Sequence, residues 1–192
     1  TSPGYAIALV SNSCGYTKVT VIQLPTTSVS RLVADCNNGS GVVIFDSPKP
    51  KTPCEQTKET LKNPNVQAGI ENLKVKAKTP GTDEDGFIEN PDGSTSPVED
   101  KKAHHVKFGN KSGKQGGYHN HTLVGISIFS PQDVREMLGF AVATQPNISS
   151  GYVGMIAANR CNSGTYCVNG FRLFNFVIRY TGNYNDLVNY NF

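Results

Sequence analysis

The chain has 192 residues, with 18 Lys and Arg against 15 Asp and Glu, a net charge of +3. So small a basic excess leaves no electrostatic footprint for nucleic acid or anionic lipid. Hydrophobic residues make up 37 %, too many for a disordered chain and few enough for a loop-rich one with short strands.

Residues 1–45 read as strands only. Tyr5 to Val10, Lys18 to Leu24 and Gly41 to Phe45 are runs rich in β-branched residues between Ser, Asn and Gly clusters. They form a short β-rich N-terminal segment, expected to be the end of an upstream domain or a set of strands that joins the main sheet. Asp46 to Pro53 holds three prolines in eight residues, which predicts a stiff, extended linker over 46–53.

The composition changes beyond the linker. Glu55 to Asn63 and Asn65 to Ala77 lack internal proline, and Val66, Ile70 and Leu73 recur at helical spacing. Thr79 to Pro97 is polar and turn-rich around the short apolar run Gly86-Phe87-Ile88. His104 to Phe108 reads as a strand, Lys111 to Gly117 as a turn, and Tyr118 to Thr122 as a further strand. Ser130-Pro131-Gln132-Asp133 opens a helix that runs to about Ala143. Ser at the N-cap followed by Pro at the first helical position is a strong start signal. Tyr152 to Ala158 and Phe171 to Tyr180 complete the chain as strands. Residues 54–192 are therefore expected to form one mixed α/β domain, a sheet flanked by helices.

No apolar run approaches the ~20 residues that a membrane helix needs. There is no N-terminal signal sequence, and a chain whose first residue is Thr1 and not Met says nothing of export on that ground. The five cysteines form no CxxC or CxH pattern. Cys161 and Cys167 flank a turn-rich stretch whose ends can meet, and Cys14 and Cys36 flank an apparent pair of strands. One or two disulfides and an extracytoplasmic or secreted location follow as expectations. The alternative is five reduced thiols in a cytosolic protein.

The chemistry concentrates in His119-Asn120-His121. On a strand, residues two apart share a face, so both imidazoles can aim at one point. Two neutral nitrogens need a third ligand to hold a catalytic metal with one position open for water. Asp133 can supply it from the first turn of the following helix, where the helix dipole favours a carboxylate. Each part has an ordinary reading. Ser-x-x-Asp before an apolar helix is a capping box, and an HxH pair is often just surface strand. The combination within one short span is what points to zinc. His104 and His105, as strand neighbours, face opposite ways, so at most one can approach the site. They read as structural or surface residues, with one available to brace a ligand.

The run His119-x-His121-(x8)-Ser130-x-x-Asp133 resembles the signature of the JAB/MPN-type (JAMM) zinc metallopeptidases, and its flanking residues resemble secreted or phage-like bacterial members, especially from Bacteroidetes. The resemblance implies a cytidine deaminase-like mixed α/β sheet, zinc on His119, His121 and Asp133, and Ser130 holding the tetrahedral intermediate. It also implies a general base just before a glycine on an upstream strand. Glu84, in Glu84-Asp85-Gly86, is the best match, although the family more often has two residues between Glu and Gly. Glu89 is the rival. Thr122 stands where the family has Pro, and eight residues, not seven, precede Ser130. The expected activity is a zinc-dependent peptidase or isopeptidase acting on a polypeptide. The alternative is an extracellular structural or adhesive module that keeps the fold without turnover.

Overall fold

The computed structural model describes residues 4–11, 17–24, 51–81, 83–98, 100–102 and 104–189. The chain divides into two compact units, 1–50 and 51–192. In the first, β1 (Gly4–Ser11) and β2 (Thr17–Leu24) pair antiparallel. The expected strand at 41–45, most of the expected linker and the Cys14–Cys36 pairing lie outside the described residues.

The second unit opens with two helices. In α1 (Pro53–Thr60), Thr52 is the N-cap and Glu55 closes a capping box. Pro53, placed at the end of the expected linker, is thus the first helical residue, where its missing N–H costs nothing. Helix α2 (Pro64–Ala77) follows and buries Val66, Ile70, Leu73 and Ala77, the face predicted by their spacing.

Five strands make the sheet: β3 (Gly86–Glu89), β4 (Thr95–Pro97), β7 (Gly116–Asn120), β8 (Tyr152–Arg160) and β9 (Phe171–Arg179). Their order is β4-β3-β7-β8-β9. Only β7 and β8 run parallel. A parallel pair needs a crossover, and α3 (Pro131–Ala143) provides it. A small separate ladder joins β5 (Asp100–Lys102) to β6 (His105–Lys107). A short helix, α4 (Tyr184–Asn189), which the sequence analysis did not anticipate, comes last.

Two apolar layers sandwich the sheet. On one face, α2 packs on Phe87, Tyr118, Tyr152 and Ile156. On the other, Met137 and Phe140 of α3 pack with Ile88, Val106, Phe108 and Val153. The fold is a mixed α/β sheet flanked by helices. Pairing in β7 starts at Gly116, inside the stretch expected to turn. Both glycines are needed there. A Cβ on Gly116 would lie 2.3 Å from the Tyr152 ring, and one on Gly117 would lie 2.4 Å from the Phe108 ring.

Cys161 and Cys167 form the expected disulfide, closing the loop between β8 and β9. Among the described residues, Cys54 is a free, exposed thiol. No helix among the described residues is long and apolar enough to cross a membrane.

Candidate metal centre

Strand β7 carries His119, and His121 follows its last residue. The His121 N–H donates to the Ile156 carbonyl at 2.8 Å, which continues the parallel ladder past the end of the strand. Alternation therefore still applies at 121, and both rings meet α3 on the same side of the sheet.

Helix α3 delivers the third group. Ser130 is the N-cap; its Oγ accepts from the Asp133 N–H at 3.2 Å, and its own N–H donates to Asp133 Oδ2 at 2.6 Å. This reciprocal box holds the Asp133 side chain against the start of the helix. From there Oδ1 lies 3.0 Å from His119 Nε2, and Oδ2 lies 3.3 Å from His121 Nε2. One ligand atom from each of the three residues lies within 4.8 Å of the others.

Burial decides how this cluster should be read. His119, His121 and Asp133 are only 1 %, 4 % and 7 % exposed, so water does not satisfy their polar atoms. Yet neither ring nitrogen of His119 has a hydrogen-bond partner. Its Nε2 is close to Asp133 without being aligned for a hydrogen bond. An unsatisfied buried polar atom costs about 1–3 kcal/mol, and a cation among the three groups removes that cost. His121 adds a second sign. Its Nδ1 lies 2.6 Å from the Ile126 carbonyl, which places the proton of the neutral ring on Nδ1 and leaves the Nε2 lone pair free to coordinate. The buried His119-His121-Asp133 group can bind a metal ion.

The electrostatics are those of a tight buried cluster. Burial pushes the Asp133 carboxyl up, but the imidazoles of His119 and His121 and the Ser130 amide outweigh it and hold it well below the usual range. Burial pushes the His121 imidazole down, but Asp133 and the Ile126 carbonyl outweigh it and raise it.

Glu84 lies beside this group. It is buried, and it lines a cavity of about 150 Å³ with His104, His121, Ile126, Ser130 and Asp133. Burial raises its carboxyl above the usual range, with His121 and His119 pulling the other way. Two features set its position. A Cβ on Gly86 would sit 2.5 Å from the Tyr118 carbonyl oxygen, so glycine is required for β3 to lie against β7. Asn120, the residue between the two histidines, then clamps the approach to β3. Its backbone N–H donates to the Asp85 carbonyl, and its Oδ1 accepts from the Asp85 N–H, both at 3.0 Å.

Glu89 is the last residue of β3, the strand that begins two residues after Glu84. Gly86 is in register with His119 and Glu89 with Gly116, a separation of about 10 Å along β3. The Glu89 carboxylate accepts from Asn63 Nδ2 at 2.8 Å and from the Tyr152 hydroxyl at 2.7 Å. It lines a different cavity, with Arg179 and Gln56.

The sequence gives no role to two residues of the site, Asn120 and Thr122, and misplaces a third. Asn120 passed as a spacer. Thr122 was noted only for replacing Pro, yet its Oγ1 lies 3.2 Å from His104 Nδ1. His104 was read as part of a strand, whereas it forms a turn with φ 58° and lines the cavity. A hydroxyl directly after the histidine pair is the available signal.

Compared with known protein families, with curated proteins and with solved structures, the chain matches none.

Proposed function

We propose that the protein is a zinc-dependent peptidase or isopeptidase related to the JAB/MPN-type metallopeptidases, working outside the cytoplasm. The observation that carries this reading is the buried cluster of two imidazoles and one carboxylate, with an unpartnered His119 ring at its centre and a carboxyl, Glu84, across a shared cavity. Two nitrogens and one carboxylate oxygen are a donor set of catalytic zinc sites. His119, His121 and Asp133 would hold the zinc, which would supply Lewis acidity and make hydroxide available near neutral pH.

The remaining chemistry belongs to the chain. Glu84, with its carboxyl raised by burial, accepts the proton of the attacking water and passes it to the leaving amine. Ser130 lines the cavity and is aimed by the capping box. Its Oγ accepts from the Asp133 N–H, so its hydroxyl hydrogen remains to donate to a developing oxyanion. Asp133 stays ionised and His121 keeps its proton on Nδ1, so both present coordinating lone pairs. The Cys161–Cys167 disulfide supports an oxidising compartment.

The test is hydrolysis of peptide and isopeptide-linked substrate pools, followed by mass spectrometry. The zinc-loaded protein is expected to cleave, to stop on chelation and to recover on adding zinc. A protein that holds zinc and cleaves nothing contradicts the catalytic reading, and an extracellular binding module then describes it better.

A further inference from the structure

We propose that His104 is a substrate-contacting residue of this site, which binds the main chain of a bound polypeptide at the mouth of the cavity. The inference rests on the peptidase reading above. It begins with the backbone. His104 is a turn residue immediately before β6 and has φ 58°. Glycine, asparagine or aspartate fill such turn positions at least cost. A histidine there is strained, and strain in a non-glycine residue concentrates at sites of function.

The side chain shows what the turn achieves. The ring lines the same cavity as Glu84, His121, Ser130 and Asp133, although it comes from a separate ladder outside the five-stranded sheet. Its Nδ1 lies 3.2 Å from Thr122 Oγ1. Gly125 borders the same side of the ring, where an added Cβ would be in ordinary contact with Nδ1 at 3.7 Å. The ring is thus oriented from one side. Among the described residues the hydrogen bond of the ring is made by Nδ1 and none reaches Nε2. His104 is exposed, so a ligand entering the cavity meets it before it meets Glu84 and the metal ligands. With the Thr122 hydroxyl donating to Nδ1, the proton of the neutral ring sits on Nε2, and that N–H suits a peptide carbonyl, the one acceptor that every polypeptide substrate carries, whatever its side chains.

Two zinc-directed probes test this: acetohydroxamate, which has no peptide chain, and the hydroxamate of acetyl-glycylglycine, which has one. Both are titrated into the zinc-loaded parent and into His104→Asn, whose new side chain tolerates the left-handed backbone. The expected result is a five- to tenfold loss of affinity for the peptidyl hydroxamate, the size of one lost hydrogen bond, with acetohydroxamate affinity, zinc affinity and melting temperature unchanged. Thr122→Val, which frees the ring without removing it, should give a smaller loss of the same kind. Equal affinity of parent and His104→Asn for the peptidyl probe overturns the inference and leaves the zinc site standing. A parent that takes up no zinc overturns both.

Discussion

Two buried glutamates bracket β3 in opposite circumstances, Glu84 two residues before the strand and Glu89 as its last residue. Glu89 is fully engaged: an asparagine amide and a tyrosine hydroxyl donate to its two oxygens. Those donors come from the start of α2 and from β8, so the carboxylate ties a helix to the sheet. Arg179, stacked over the Tyr152 ring at 4.8 Å and bonded to Thr57 and Thr60, extends the tie to α1. Glu84 is as buried, yet among the described residues no hydrogen bond reaches its carboxylate, and burial raises its pKa. Beside it stand the three candidate metal ligands, of which His119 has no hydrogen-bond partner on either ring nitrogen. Satisfied polar groups hold a fold together, whereas unsatisfied ones next to a cavity are held ready for a ligand.

Glutamine at each position breaks the comparison open. Glu84→Gln should lower turnover by about 10²–10⁴-fold, the usual range for a general base, and should leave zinc bound. It should also raise the melting temperature of the metal-free protein. The sign follows from linkage. A folded-state pKa raised above the unfolded value gives stability that is present below the unfolded pKa and lost as pH rises through the folded one. Above that folded-state pKa the charged Glu84 is therefore a cost, and glutamine removes it. Glu89→Gln should do the reverse, with zinc and turnover kept and stability lost by about 1–3 kcal/mol as a charged acceptor is replaced. If the two variants behave alike in thermal melts and kinetics, the contrast between the two glutamates is wrong.

Ser130→Ala sharpens the picture at the helix start. It should keep most of the zinc and slow hydrolysis by ~100-fold, as loss of an oxyanion donor does. Loss of the N-cap should cost ~1 kcal/mol by chemical denaturation. A stability loss with unchanged turnover would make Ser130 a cap and nothing more.

Much of this site was legible in the sequence because its parts are local. His119 and His121 share a face by strand alternation, and Ser130 and Asp133 form a capping box by helix geometry. The spacing of Val66, Ile70 and Leu73 gave the buried face of α2 for the same reason. What stayed hidden depends on contacts distant in sequence. Glu84 and Glu89 both bracket the apolar run 86–88, and only the β3–β7 register separates them. Gly116 and Gly117 resemble a turn until the rings of Tyr152 and Phe108 are seen above them. Asn120 and Thr122 act on Asp85 and His104, 35 and 18 residues upstream, and no periodicity announces such pairs.

The central claim is that His119, His121 and Asp133 form a metal site, and elemental analysis tests it most directly. Protein purified without chelator, and apoprotein reloaded with zinc, should each hold about one zinc per chain. Asp133→Asn removes one of the three coordinating side chains together with its charge and should hold far less, while Glu84→Gln holds as much as the parent. A parent with no bound transition metal and no uptake of added zinc would contradict the account.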